Sequence, residues 1–378
     1  MIYFDNSATT KMFSESLDTF MKINQTIFGN PSSLHSYGTT AHGLVSQSRK
    51  QVADLLSVDE TEIFFTSGGT EGNNWVIKGT AVEKHFFGKH IITSSIEHPS
   101  VSGSMRQLEQ LGFEVTYLPV DQWGVISIEE LEAAIRKDTI LVSLMAVNNE
   151  IGSIQPLEKV GEVLQKYPAI HFHVDAIQAV PEFDKLLLHP RIDFLVFSAH
   201  KFHGPKGVGI LYKKTGRRIA SLLTGGGQEF GERSTTENVG GIAATAKSLR
   251  ISLINQKSTL SHTKELRDTL LSFLERFEDV KIFSSKKGAA HILCFAMKGV
   301  RGEVMVHALE QAEIYISTTS ACASKKGSFP ATLDAMSIPA EWSKCAVRLS
   351  FSCGNTKAEV EIFMRVFESL HTKFQKIQ

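Results

Sequence analysis

The sequence predicts an α/β protein with a large domain on a mostly parallel sheet and a smaller α+β C-terminal domain. Two observations lead to this prediction. Short apolar runs alternate with helix-like segments over about the first 240 of the 378 residues, as in parallel sheets covered on both faces. Beyond that point the spacing of strands and helices changes. We therefore expect a large domain over residues 14–255 and a small domain formed by residues 1–13 with residues 256–378.

The individual elements follow from the hydrophobic pattern. Strands of the large domain are predicted over residues 62–67, 89–95, 113–120, 139–147, 169–176, 192–199 and 207–213. Helices are predicted between them over residues 68–84, 98–112, 127–138 and 156–166. The small domain is predicted to contain a long amphipathic helix at 241–277, strands at 290–297, 314–318 and 345–352, a helix at 302–312 and a C-terminal helix.

The composition is that of an ordinary globular protein, with 40 basic and 40 acidic residues and no net charge. Neither a nucleic-acid surface nor an anionic membrane surface is indicated. No apolar run approaches the roughly 20 residues that span a bilayer, and the N-terminus lacks the pattern of a signal peptide. We therefore expect a cytoplasmic protein. The four cysteines form no CxxC pair, so neither a metal site nor a disulfide framework is expected.

Polar side chains follow the predicted strands, at the sheet edge where ligands bind in parallel α/β folds. Glu97 and His98 follow one strand, an Asn-Asn-Glu turn follows another, and Asp175 and Gln178 follow a third. The stretch SGGTEGNN (67–74) joins a strand to a helix, and its glycines and helix N-terminus suit an anion. It matches neither the dinucleotide fingerprint nor the P-loop, so the phosphate of a small cofactor fits better.

Lys201 lies in SAHKFHGPKGVG (198–209), directly after an apolar run and beside Ser198 and His200. Most lysines in loops are simply solvated, and an aspartate at the end of a strand more often caps a helix. A partly buried lysine can instead form a Schiff base with a carbonyl group. Pyridoxal phosphate combines such a link with a phosphate, and its ring nitrogen needs an acidic partner, for which Asp175 is the candidate.

Nine stretches in order along the chain resemble the cysteine desulfurases of the NifS/IscS type. They are FDNSATT, GNPSSLHSYG, FTSGGTEGNN, EHPSV, VNNEIGSIQP, HVDAIQAV, SAHKFHGPKGVG, GGGQEFGERSTTEN and SACAS. These desulfurases are class V aminotransferase-like enzymes of fold type I that use pyridoxal 5′-phosphate. The resemblance implies an enzyme that removes sulfur from L-cysteine, releases L-alanine and keeps the sulfur as a persulfide.

The resemblance also implies contacts with the cofactor. Lys201 would carry the cofactor, Asp175 would pair with its ring nitrogen, and Gln178 would contact its phenolic oxygen. His98 would stack on the ring and move protons, although a histidine directly before Pro99 could simply cap a helix. The other implied cofactor contacts are Gly69, Thr70, Asn149, Ser198, His200 and Thr236. Thr236 would reach the phosphate of a neighbouring subunit, which implies a homodimer with shared sites.

Substrate contacts are implied at Asn149 and Arg348, which would hold the carboxylate of L-cysteine. Arg348 alternates with apolar residues in AVRLSF, so it could instead face solvent. Cys322 would be the nucleophile that takes up sulfur. It lies in the polar stretch STTSACASKKGSF, where two lysines would favour a thiolate.

The other three cysteines are weaker candidates for the nucleophile. Cys294 and Cys345 lie in strand-like or packed contexts and are expected to be structural, as most free cysteines are. The role of Cys353 stays open. Because it follows a predicted strand, it would lie near the site but on a firm element.

The chain departs from the family pattern at three positions. Phe230 stands where arginine is usual, and Thr235 and Thr319 stand where glycine is common. A residue other than glycine is restricted at positive φ, so these loops are expected to be stiffer or differently placed. The departures bear on rate and on the choice of partner more than on the type of reaction.

Two other functions remain open from the sequence. A related enzyme with the same cofactor, such as a selenocysteine lyase, a cysteine sulfinate desulfinase or a class V transaminase, would need no nucleophilic cysteine. A non-catalytic paralogue could serve as a scaffold, although Lys201, Asp175 and His98 are all present. The acceptor of the sulfur is also open: iron–sulfur scaffold proteins, tRNA-thiolating enzymes and thiamin pathways all agree with the resemblance.

Overall fold

The computed structural model of the chain describes residues 1–182, 189–319 and 332–376. Its strands in chain order are β1 (Ile2–Tyr3), β2 (Ile63–Thr66), β3 (His90–Ser94), β4 (Glu114–Leu118), β5 (Thr139–Met145), β6 (His171–Asp175), β7 (Phe194–Ser198), β8 (Gly209–Lys213), β9 (Val280–Ile282), β10 (Ile292–Met297), β11 (Ile314–Tyr315), β12 (Ser317–Thr318) and β13 (Ala346–Ser350).

The helices of the described residues cover the faces of the sheets. They are α1 (Ser14–Thr26), α2 (Ser36–Leu56), α3 (Gly69–Lys84), α4 (Pro99–Gln110), α5 (Ile128–Ala134), α6 (Leu157–Gln165), α7 (Val239–Ile254), α8 (Gln256–Leu274), α9 (Gly302–Glu310), α10 (Thr332–Ala335), α11 (Ala340–Ser343) and α12 (Lys357–Gln375). None of the helices described is long and apolar enough to cross a membrane.

The main sheet has seven strands in the order β2-β8-β7-β6-β5-β3-β4, which confirms the predicted α/β class with a mostly parallel sheet. Only β8 runs antiparallel to its two neighbours among these strands. It follows β7 after a connection too short for a crossover helix, so the chain turns back on itself. Strands β3, β5, β6 and β7 are buried at every position, which explains their nearly continuous apolar sequences.

A second sheet, β12-β13-β10-β9, is antiparallel and comes from the C-terminal part of the chain. The N-terminus joins this part, because β1 pairs in parallel with β11. The buried Phe4 ring meets Phe351 and Phe363 edge-on, with centroids 5.3 and 6.2 Å away. Residues separated by about the whole length of the chain therefore share one apolar cluster.

The predicted single helix over residues 241–277 is wrong, because two helices, α7 and α8, occupy this stretch. They separate at Asn255, whose backbone angles (φ −94°, ψ 6°) depart from the helix and whose Nδ2 donates to the carbonyl of Ile251. Asparagine favours such local side-chain bonds. The apolar periodicity continues on both sides of the break, so the hydrophobic pattern does not reveal it. The helix predicted at 127–138 is also shorter than expected, since α5 ends at Ala134.

Candidate active site

A cavity of about 420 Å³ is lined by residues at the carboxyl ends of β5, β6 and β7 and by residues of β12 and β13. It brings together ten of the predicted site residues: Gly69, Thr70, His98, Asn149, Asp175, Gln178, Ser198, His200, Lys201 and Arg348. Thr236 is exposed and lines a separate cavity of about 150 Å³. Cys322 lies outside the described residues.

Asp175 ends β6 and is buried, so its carboxylate depends on hydrogen bonds from the protein. Oδ2 accepts from the side-chain amide of Asn73 at 2.8 Å, and Oδ1 accepts from the backbone N–H of Ile177 at 3.1 Å. Burial raises the pKa of Asp175, whereas the charge of protonated His98, these two hydrogen bonds and Lys201 act to lower it. The arrangement suits a buried anion that meets a positively charged group of a ligand.

His98 both caps helix α4 and lines the cavity, so the capping role and a place in the site are compatible. Nδ1 accepts the backbone N–H of Ser100 at 3.1 Å and lies 2.8 Å from the Ser100 hydroxyl. Pro99 follows at the first helical position, where its fixed φ is favourable. Burial lowers the pKa of His98, the nearby Asp175 carboxylate raises it, and Lys201 lowers it. Because Nδ1 accepts a bond, the neutral ring carries its proton on Nε2.

Lys201 is held at the end of β7 by a 3₁₀ turn, Ala199–Lys201, and is half-buried. Its ammonium group donates to the carbonyls of Ser7 and, at 2.9 Å, Ala8. The Ser7 carbonyl also accepts from Nε2 of Gln178 at 3.0 Å. The N-terminal segment thus forms one wall of the cavity. In the sequence this wall corresponds to the motif FDNSATT. The motif does not follow a predicted strand, so the reasoning from strand ends gave it no role.

The N-terminus of α3 lies at the cavity without a capping side chain, because the N-cap is Gly68. Gly69 is needed there for packing: a β-carbon at this position would lie 2.2 Å from Cδ1 of Ile177. Ser198 and His200 line the same region, and burial together with nearby lysines lowers the pKa of His200 to about 4. Backbone N–H groups, a hydroxyl and a helix N-terminus form a suitable site for a phosphate.

Arg348 is buried on β13, so the alternative that it faces solvent is wrong. One guanidinium nitrogen donates to the backbone carbonyl of Asn149 at 2.7 Å, and the other pairs with Asp5 at 2.8 Å. Its Nε has no hydrogen-bond partner among the described residues. Each terminal nitrogen carries a second N–H that these two bonds do not use, so the guanidinium keeps donors for a carboxylate, next to the turn that carries Asn149.

Glu150 also lines the cavity, although sequence reasoning assigned it no role. Burial raises its pKa to about 7, and hydrogen bonds from Thr332 act in the opposite direction. Its Oε2 is buried without a partner among the described residues. The only sequence signal was its place in the turn NNEIG, after a buried strand.

Comparisons with known proteins agree with this geometry. The family model for aminotransferase class V matches residues 2–363. The chain belongs to the class V aminotransferase family, among the cysteine desulfurases of the NifS/IscS type. A NifS/IcsS protein homolog of Lactobacillus delbrueckii subsp. bulgaricus is 53% identical over 100% of this chain and 99% of the relative. The cysteine desulfurase IscS of Clostridium botulinum is 40% identical over 98% of this chain and 94% of the relative.

The fold comparison gives the same family. A solved structure described as a NifS-like protein superposes with a TM-score of 0.92 at 37% identity, covering 98% of this chain and 99% of the other. The predicted fold, family and cysteine desulfurase function are therefore confirmed. The roles assigned to individual residues are not tested by these comparisons and are taken up as proposals below.

The described cysteines of the desulfurase have distinct surroundings. Cys294 is buried on β10 and Cys345 is buried beside β13, and burial raises the pKa of both thiols. Cys353 is exposed, with Sγ 3.9 Å from Nε2 of His203. It lines a second cavity, of about 220 Å³, which shares Lys201 and Gln178 with the main one.

The three residues that depart from the family pattern, Phe230, Thr235 and Thr319, all lie in the described part of the desulfurase. Phe230 adopts a left-handed backbone (φ 58°), and its ring centre lies 4.9 Å from the guanidinium of Arg49. Arg49 forms a buried two-point ion pair with Glu229, so the aromatic ring covers one face of that pair. Thr319 is buried and lines the main cavity, whereas Thr235 lines the smaller cavity beside Thr236.

Proposed function

We propose that the cavity holds pyridoxal 5′-phosphate linked to Lys201, and that the desulfurase moves sulfur from L-cysteine to Cys322, giving L-alanine and an enzyme persulfide. The observation that carries this proposal is the meeting of Lys201, Asp175 and the uncapped N-terminus of α3 at one cavity. These three features would serve the carbonyl, the ring nitrogen and the phosphate of the same small molecule.

The residues present fit the cofactor. Asp175 accepts hydrogen bonds on both carboxylate oxygens, which stabilise its anionic form against burial. Gly68 leaves the first N–H groups of α3 available, and Ser198 adds a hydroxyl. When bound, pyridoxal phosphate supplies an electron sink that makes the α-proton of an amino acid acidic.

The side chains of the cavity would act on the amino acid in separate ways. Arg348 would bind the substrate carboxylate, assisted by Asn149, which already contacts its guanidinium. Lys201 would hold and move a proton at Nζ. Cys322 would attack the substrate sulfur as a thiolate: an S–S bond forms, the C–S bond breaks with its electron pair going to the β-carbon, and that carbon takes a proton to become alanine.

A homodimer is part of the proposal. Thr236 is exposed and lies outside the main cavity, as expected for a residue that reaches a neighbouring site. The exposed apolar side chains of Phe28, Leu34, Leu223 and Phe230 lie on two loops that approach each other, where Gln228 donates to Ser32 at 3.5 Å, and the exposed Tyr37 lies next to Phe28 in the first turn of α2. Such a patch is typical of a protein interface. A second subunit would cover it.

The persulfide would then pass to a sulfur-acceptor protein, either an iron–sulfur scaffold or a tRNA-thiolating enzyme, in the cytoplasm. The balanced charge of the chain gives no support for direct binding of nucleic acid. In this transfer the acceptor thiolate would attack the outer sulfur of the persulfide: a new S–S bond forms, the S–S bond to Cys322 breaks, and Cys322 leaves as a thiolate.

The proposal is tested with wild type and three variants, Lys201→Ala, Cys322→Ala and Lys206→Ala, given L-cysteine. We expect alanine and sulfide from wild type and from Lys206→Ala, whose lysine is exposed and nearby in sequence. Lys201→Ala should form neither, and borohydride should fix the cofactor to the Lys201 peptide. Cys322→Ala should bind the cofactor but release little sulfide. Full activity of Cys322→Ala would favour a lyase or a transaminase, and absence of cofactor binding by wild type would favour a scaffold.

A further inference from the structure

We propose that Asn73 and Ser100 are positioning residues that join Asp175 to His98 in one hydrogen-bond network and hold His98 neutral, with its proton on Nε2. This inference rests on the proposed function, because it concerns the two groups that would face the cofactor. Neither residue lines the cavity, and the sequence assigned neither a role, although they lie in the motifs FTSGGTEGNN and EHPSV.

Asn73 connects the carboxylate to the serine. It is completely buried in the second turn of α3, and its Nδ2 donates to Oδ2 of Asp175 at 2.8 Å and to Oγ of Ser100 at 2.9 Å. An ionised carboxylate only accepts hydrogen bonds, so the amide must present its NH₂ group to Asp175. Its carbonyl oxygen is left buried without a partner among the described residues. The Asp175 carboxylate therefore fixes this orientation, and the Ser100 hydroxyl, which can donate or accept, takes the acceptor role.

Ser100 connects the asparagine to the histidine. Its hydroxyl oxygen accepts from Asn73, which leaves the hydroxyl proton for Nδ1 of His98 at 2.8 Å. The backbone N–H of Ser100 donates to the same Nδ1 at 3.1 Å. Two donors thus converge on one ring nitrogen. A proton on Nδ1 would face the obligatory backbone donor and would require the Ser100 hydroxyl to turn its own proton away, so the doubly protonated ring is disfavoured.

The charges around His98 would not determine this state by themselves. Asp175 and Lys201 act on its charge; the other ionisable groups that line its cavity are Glu150, His200 and Arg348, and Glu97 precedes it in the chain. The Asp175 carboxylate favours protonation of His98, and Lys201 opposes it. The hydrogen bonds of the network determine which ring nitrogen of His98 carries the proton, which the surrounding charges alone do not. His98 is then a hydrogen-bond donor at Nε2 toward the substrate and not a base there, which leaves proton abstraction to Lys201.

The chain offers matched variants for a test. Ser100→Ala removes the hydroxyl, and Ser100→Thr keeps one. Asn73→Ala removes both amide bonds. Ser104→Ala is the control, because Ser104 is buried on the same helix but its hydroxyl bonds only the backbone carbonyl of Ser100. Protein labelled with ¹⁵N-histidine reports the protonation of each ring by long-range ¹H–¹⁵N NMR, and His98→Gln assigns the His98 signals. The absorbance of the bound cofactor against pH reports on Asp175.

In wild type we expect His98 to stay neutral with the proton on Nε2 between pH 6 and 9. Ser100→Ala should raise the pKa of His98 by about one unit and lower kcat/KM by roughly tenfold. Ser100→Thr should restore both. Asn73→Ala removes a hydrogen bond from the Asp175 carboxylate and so raises its pKa; with less negative charge at Asp175, the bound cofactor should release its own proton, and reach its absorbance midpoint, about one pH unit lower. Ser104→Ala should change none of these.

The inference is wrong if His98 carries its proton on Nδ1 in wild type, or if Ser100→Ala leaves its titration unchanged. It is also wrong if Ser104→Ala reproduces the effects, since the cause would then be general loosening of α4. The NMR signals require no catalysis, so they remain informative if wild type binds no cofactor. Absence of cofactor binding by wild type would contradict the proposed function but not the proposed hydrogen-bond network.

Discussion

Two carboxyl groups, the buried Asp175 and the half-buried Glu150, line the same cavity with different surroundings. Asp175 receives a hydrogen bond on each oxygen, whereas Oε2 of Glu150 has no partner among the described residues. Burial raises the pKa of both, to about 7 in the case of Glu150. Glu150 is therefore a carboxyl group whose charge is expected to change near neutral pH.

Glu150→Gln should stabilise the protein at pH 8 and not at pH 4.5. The pKa of the folded state is raised to about 7 from 4.5, so the ionised carboxylate is unfavourable in the fold. This cost is fully present above pH 7, shrinks as the pH falls toward the unfolded value, and disappears below it. Thermal unfolding at both pH values should show a gain of about 2 kcal/mol at pH 8 only. Glu162→Gln, an exposed substitution on α6, should give no gain at either pH; an equal gain for both variants would contradict the explanation.

The sequence predicted those site residues that follow strands. Asp175 ends β6, His98 and Lys201 follow β3 and β7 by a few residues, and parallel strands bring their carboxyl ends to one edge. The N-terminal wall at Ser7 and the Asn73 bridge could not be predicted in this way. They depend on contacts between positions 194 and 102 residues apart, which no local pattern contains.

At the level of elements, the strands were easier to predict than the helix limits. A buried strand has a distinctive apolar run with polar ends, so β5, β6 and β7 were placed within a few residues. The break between α7 and α8 was missed because one asparagine changes the backbone direction without interrupting the apolar face. A helix limit depends on its capping residues more than on periodicity.

The final helix, α12, offers a direct test of capping. Thr356 accepts from the N–H of Glu359 at 3.2 Å, and the Glu359 side chain accepts from the N–H of Thr356 at 2.8 Å. Thr356→Ala should lower the free energy of unfolding by about 1 kcal/mol in urea denaturation. Thr372→Ala is the control, since that exposed hydroxyl bonds only a carbonyl one turn earlier. An equal loss of unfolding free energy in both variants would show that the cap contributes no more than an ordinary exposed side-chain hydrogen bond.

At the scale of the whole molecule, the N-terminal segment belongs with the C-terminal part. Phe4 and Ile2 pack in the cluster that contains α8, β10, β13 and α12, which supports the proposed small domain of residues 1–13 with 256–378. Asp5 and Ser7 continue from this segment into the cavity wall. The site would thus lie between the two proposed domains, and Arg348, the proposed substrate-binding arginine, would come from the smaller one.

Mixing two inactive or weakened variants tests the proposed dimer. A heterodimer of Lys201→Ala and Thr236→Ala subunits would contain one site with neither substitution, if Thr236 serves the neighbouring subunit. Co-expressed and purified by two different tags, it should recover about half the wild-type rate per dimer. If Thr236 serves its own subunit, each site keeps one defect and no recovery is expected. Sedimentation should also show a dimer, and an active monomer would contradict shared sites.

The central claim is that sulfur from L-cysteine reaches Cys322, and mass spectrometry tests it most directly. Wild-type protein is exposed briefly to L-cysteine, alkylated and digested, and the added sulfur is located on its peptide. The account predicts one extra sulfur on the peptide that contains Cys322 and none on those of Cys294 and Cys345, which are buried. An extra sulfur on the exposed Cys353, with Cys322→Ala fully active, would contradict the account.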